Sequence, residues 1–77
     1  MSHDPTIEIE REPVTSSNIT SVGYSAEHEA LDVEFNTGAV YRYQGVPQSA
    51  YDQLRESESV GRFVYARING HYPCSRI

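Results

Sequence analysis

The sequence predicts an α+β domain: a three-stranded antiparallel meander with two helices packed on one face. Three observations predict it. Residues 30–36, ALDVEFN, alternate apolar and polar side chains. Asn36-Thr37-Gly38 supplies a glycine-ended turn. Beyond Pro47, two stretches carry apolar residues at helical spacing.

The first 16 residues form an acidic N-terminal arm, with the remainder, residues 17–77, as the domain proper. Ile7 and Ile9 alternate with Glu8 and Glu10, between Pro5 and Pro13. That stretch has two open descriptions, an extra N-terminal edge strand or a mobile tail.

Residues 19–25, ITSVGYS, read as a strand with Thr20, Val22 and Tyr24 on one face. After a polar turn at Ser25–Glu29, Leu31, Val33 and Phe35 share one side of the next strand, and Asp32 and Glu34 the other. A three-residue loop ending in glycine fits a type I turn with a glycine bulge, where positive φ is needed. This loop length sets Phe35 opposite Ala39, Glu34 opposite Val40, Val33 opposite Tyr41, Asp32 opposite Arg42 and Leu31 opposite Tyr43. Both tyrosines then join the apolar side. Arg42 meets Asp32 as a cross-strand surface ion pair, worth about 0.2–1 kcal/mol.

An isolated meander is not stable, so its apolar face must be covered. Pro47 suits a first helical position, and QSAYDQLRE follows with Ala50, Tyr51 and Leu54 in phase. Ser59 can cap a second helix, VGRFVYARI, whose stripe is Val60, Phe63, Val64, Arg67 and Ile68. Asn69-Gly70 is a stop signal, after which HYPCSRI trails away, pinned by Tyr72 and Ile77.

Composition narrows the function classes. The chain has 77 residues, enough for one small domain with a modest core. One cysteine, Cys74, permits no internal disulfide. No apolar run approaches the ~20 residues of a membrane span, and the acidic start lacks a signal-peptide core. A cytoplasmic protein without membrane contact is expected. Net charge is −5, which disfavours general nucleic-acid affinity. The charge is uneven: residues 1–38 hold eight acids and one base, residues 39–77 three acids and five arginines, and lysine is absent. Arginine suits two-point grip on carboxylate or phosphate, although ordinary surface ion pairs use it too.

The spaced residues S-x-I-x-x-x-G-Y, L-x-V-x-F-x-x-G-x-x-Y-x-Y-x-G-V-P, Y-x-x-L and S-x-G-x-F, ending in I and Y-P, carry a resemblance. Over about residues 17–73 the chain resembles the KTSC domain, a small bacterial domain found alone and at the C-terminus of some lysyl-tRNA synthetases. The most specific part is Tyr41 and Tyr43 followed by Gly45, Val46 and Pro47. The chain departs from the family pattern at Ser57, where alanine is usual, and near Tyr65 and Asn69, where asparagine and a basic residue are usual. The synthetase context implies RNA binding.

Tyr41 and Tyr43 can be core residues or a stacking platform; their register favours the core. Arg62 and Tyr65, three apart, share the exposed side of the second helix. Arg67, His71, Tyr72 and Arg76 continue nearby. Arginine mixed with aromatics forms single-strand RNA surfaces, and equally a solvated helix face. His71 and Cys74 could pair to activate a thiolate, but a mobile tail holds catalytic geometry poorly. Glu27-His28-Glu29 lacks metal-site spacing. No catalytic motif is present. The expected function is a small non-catalytic binding module without cofactor or metal, with RNA as ligand. The alternative is a protein-interaction or self-association module that adds a partner strand to an open sheet edge.

Overall fold

A computed structural model describes residues 8–77. In chain order it contains β1 (Glu12–Pro13), β2 (Ile19–Ser25), β3 (Ala30–Phe35), β4 (Val40–Gln44), α1 (Gln48–Glu56), α2 (Val60–Phe63), a π-helical segment (Val64–Ile68) that continues α2, and β5 (Cys74–Arg76). The five strands form one antiparallel sheet in sequence order. The α+β class is as expected; the sheet is larger than the expected three strands.

The central hairpin has the register its turn demands. Leu31 pairs with Tyr43, Asp32 with Arg42, Val33 with Tyr41 and Glu34 with Val40. The Phe35 N–H donates to the Ala39 carbonyl at 2.9 Å, and Gly38 adopts φ +95°. Leu31 and Val33 are sealed, with Tyr43 beside them. Phe35 meets the Tyr41 ring edge-on, with centroids 5.8 Å apart.

β2 departs from simple alternation. A bulge lies between Ile19 and Ser21, so Thr20 leaves the apolar face. Ile19, Val22 and Tyr24 point to the core side instead, while the Thr20 hydroxyl donates to Asn36 at 2.7 Å. One extra residue in the strand switches the face of everything before it, which is how Ile19 joins the core.

The helices cover this face as expected. Leu54 comes from α1, Val60 from α2, and Val64 and Ile68 from the π segment. Pro47 is the N-cap of α1 rather than its first helical residue; its carbonyl accepts from Ala50 at 3.0 Å. The Ser59 hydroxyl caps α2 by accepting from the Arg62 N–H at 3.3 Å. The second helix widens after Phe63, and the Asn69 N–H reaches five residues back to the Val64 carbonyl at 2.6 Å. Gly70, at φ +84°, then reverses the chain.

The tail does not trail away. Tyr41 pairs with Arg76, Arg42 with Ser75 and Tyr43 with Cys74, making β5 the neighbour of β4. All three β5 side chains are exposed, so backbone bonds hold this strand and no apolar alternation announces it. β1 pairs with β2 through Glu12 and Pro13, downstream of the stretch expected to form an edge strand; of that stretch, Ile7 lies outside the described residues. Both edges expected to be open, those of β2 and β4, are therefore paired.

The second face of the sheet is also covered. Ile9 is buried, and a Cβ on Gly23 would collide with the Glu10 carbonyl and approach the Ile9 Cγ2 to 2.9 Å. Glycine at 23 lets the arm cross the sheet at backbone contact. Arg11 reaches Glu34 at 3.9 Å, and Glu12 reaches Arg55 of α1 at 2.7 Å. Asp32 and Arg42, expected as a surface pair, are sealed on this face at 1% and 6% exposure.

Candidate functional site

The Tyr41–Arg42–Tyr43 stretch divides between the two faces. Arg42 goes to the arm side. Tyr43 is 2% exposed and Tyr41 half-buried on the helix side. The following Gly45-Val46-Pro47 is built into the fold: Gly45 takes φ +76°, Val46 is sealed, and its carbonyl accepts from the Tyr24 hydroxyl at 2.6 Å.

Tyr41 and Tyr43 also line a cleft of about 310 Å³ between the hairpin and the π segment, together with Phe35, Val64, Tyr65, Asn69 and Cys74. β5 completes it, because pairing places Cys74 next to Tyr43 on the same face. Burial raises the Tyr43 phenol pKa above 10.0, and the neighbouring Cys74, Tyr41 and Tyr65 add to the shift. These four side chains thus converge on one space.

Tyr65 is 66% exposed and stands where three recesses meet. One is the cleft. A second holds Arg62, Ser59 and the 16–18 loop. A third runs past Asn18, Asn36 and Thr37. Arg62 and Tyr65, placed on one helix side by their spacing, do share a groove. Arg67 lies in a separate recess that also reaches Arg62, with its guanidinium 5.9 Å from the Phe63 ring centre. Arg76 sits across from Tyr41, on the same side of the sheet. His71 is exposed in the turn leading to β5, and Tyr72 is half-buried against the core.

The arginines fall into two groups. Arg11, Arg42 and Arg55 each pair with a carboxylate, Glu34, Asp32 and Glu12 respectively. Arg62, Arg67 and Arg76 have no carboxylate partner among the described residues. Local spacing places Arg62 beside Tyr65, whereas Arg67 and Arg76 are only neighbours in sequence. Spacing was not enough to find the cleft, because Asn69 reaches it only through the packing of the π segment on the hairpin, and Cys74 only through the β5 pairing. Among the described residues no cluster of three or more His, Cys, Asp or Glu is placed to hold a metal ion, and no helix is long and apolar enough to cross a membrane.

Comparison with known proteins agrees with this architecture. An uncharacterized protein of Stutzerimonas stutzeri (strain A1501) is 43% identical over 54 residues, covering 70% of this chain and 76% of the relative. A protein of Tsukamurella paurometabola is 43% identical over 53 residues, covering 69% of this chain and 79% of the relative. The crystal structure of a KTSC domain protein from Yersinia pestis superimposes with a TM-score of 0.88 at 36% identity, over 91% of this chain and 99% of that one. The KTSC domain model matches residues 15–72. That span takes in the hairpin, both helices and every cleft residue except Cys74, and the chain belongs to the KTSC domain family.

Proposed function

We propose that this chain is a small non-catalytic module that binds single-stranded RNA across the surface centred on Tyr65. One observation carries the reading: an exposed aromatic ring stands between grooves and shares one of them with Arg62, a guanidinium that no carboxylate of the described residues neutralises. Exposed aromatic rings stack unpaired bases, and free guanidinium groups take the phosphates. The net charge of −5 opposes binding overall. Asp32 and Glu34, however, point to the sheet face away from the helices, and the Ile9–Glu10 stretch crosses that same face. Both acids are already paired there, Asp32 with Arg42 and Glu34 with Arg11, so they add no net charge near Tyr65.

Strand addition by a protein partner has less to work with. The outer strands are β1, two residues long and containing Pro13, and the three-residue β5. Proline withholds a backbone donor, and short edges give a partner few hydrogen bonds.

Fluorescence anisotropy with tRNA and short single-stranded RNA at low salt tests the proposal. Saturable, salt-sensitive binding is expected, weakened in Arg62→Ala and by about fivefold or more in Tyr65→Ala. No signal at high micromolar protein would remove the reading.

A further inference from the structure

We propose that the cleft between the central hairpin and the π segment takes one unstacked nucleobase, held by its hydrogen-bonding edge against the Tyr43 hydroxyl and the Asn69 side-chain amide. This rests on the reading of the chain as a single-strand RNA binder and adds what the cleft beside Tyr65 recognises.

Tyr43 is 2% exposed and lines the cleft. Its hydroxyl has no hydrogen-bond partner among the described residues, yet no sealed side-chain nitrogen or oxygen there lacks one. The oxygen must therefore reach open space, and the cleft is the open space that Tyr43 lines. Buried tyrosines ordinarily give this group a partner within the protein. Here it is left for something that enters. Burial raises the phenol pKa, so at neutral pH the group keeps its proton and can donate as well as accept.

Asn69 lines the same space, and its side-chain amide likewise has no partner among the described residues. An amide offers two donors and a carbonyl acceptor. Amide and phenol together can meet the mixed donor and acceptor edge of a base. The remaining walls are Phe35, Tyr41, Val64, Tyr65 and the Cys74 thiol, with no arginine, aspartate or glutamate. A phosphate would find no cation inside, whereas a neutral flat ring finds aromatic and aliphatic surface. The volume, about 310 Å³, lies at the small end of the ~300–1,000 Å³ typical of ligand sites and suits a single ring system. The cations stand outside the cleft: Arg76 is across from Tyr41, and Arg62 shares the adjoining groove with Tyr65. They are placed for the backbone phosphates of a strand whose base is inside.

The test is an NMR titration of ¹⁵N-labelled protein with adenosine, guanosine, cytidine and uridine. Anisotropy with two labelled oligonucleotides of equal length, one of them abasic throughout, runs beside it. At least one nucleoside should shift the amide signals of Tyr43, Tyr65 and Asn69 saturably, and the abasic strand should bind about tenfold more weakly. Tyr43→Phe keeps the ring and should weaken nucleoside binding about fivefold. Asn69→Ala, at the exposed end of the π segment, gives the same readout if the first variant fails to fold. Equal binding of both strands with no nucleoside shift would overturn the base pocket and leave RNA binding standing. Nucleoside shifts in the cleft with neither strand bound would support the pocket and remove the RNA reading. Nucleoside affinity unchanged in both variants would overturn the assigned edge contacts, and silence in every arm would overturn both proposals.

Discussion

Asp32 and Arg42 face each other on neighbouring strands as a two-point ion pair, Nε to Oδ1 at 2.8 Å and Nη2 to Oδ2 at 2.9 Å. Their side chains are 1% and 7% exposed. Removing one member of such a pair strands a charge away from water. Asp32→Ala should therefore cost about 3–5 kcal/mol of stability, against about 1 kcal/mol or less for Glu12→Ala at the solvent-exposed pair with Arg55. Urea denaturation of the two variants checks the contrast. Equal, small losses would mean that the sheet face under the arm is wet.

The arm crosses the sheet at Gly23, where even a methyl group meets backbone. Gly23→Ala should cost about 1–3 kcal/mol, as overpacking does, and should loosen the arm. Trypsin should then cut after Arg11 faster than in the parent chain. Unchanged stability and unchanged cutting would place the arm elsewhere.

Two phenols make the fold sensitive to alkali. Burial, then the charges of Glu29 and Asp52, raise the pKa of Tyr24 above 10.0. Burial, then Cys74, Tyr41 and Tyr65, raise that of Tyr43. The unfolded chain loses these protons first as pH rises, so the folded state holds more of them. Their contribution to stability is complete below about pH 10 and is lost as pH climbs through the higher folded values. Urea midpoints should fall above about pH 10, and Tyr43→Phe should flatten that fall. A midpoint that holds steady through alkaline pH in the parent chain would contradict the shifts.

Phosphate contacts leave a signature in salt. If Arg62, Arg67 and Arg76 each neutralise one phosphate, log K against log salt should slope at about −2 for a single strand. Each alanine replacement should reduce that slope by about 0.7. A slope unchanged in all three variants would assign the contacts to other groups.

The Val33–Tyr41 and Leu31–Tyr43 pairings were legible because they follow from local rules. A three-residue, glycine-ended loop permits one alignment, and the alternation of ALDVEF accepts it. The Ser59 cap and the Leu54, Val60, Val64 and Ile68 positions were legible for the same reason. Arg62 and Tyr65 share a groove because helical spacing puts them on one side. Thr20 was misplaced, since a bulge leaves no mark in a seven-residue run.

β1, β5 and the buried state of Arg42 had no local signal. Glu12–Pro13 and Cys74–Arg76 are short and exposed, and backbone hydrogen bonds hold them to strands formed elsewhere in the chain. The alternation around Asp32 names a polar face but cannot say that Ile9 and Glu10 will lie across it. The cleft shares this dependence, since Asn69 reaches it through the docked π segment and Cys74 through the β5 pairing. Near-neighbour sterics and periodic burial act within a dozen residues and are written in the order of side chains. Contacts between distant segments depend on surfaces that exist only once the sheet and its helices have formed.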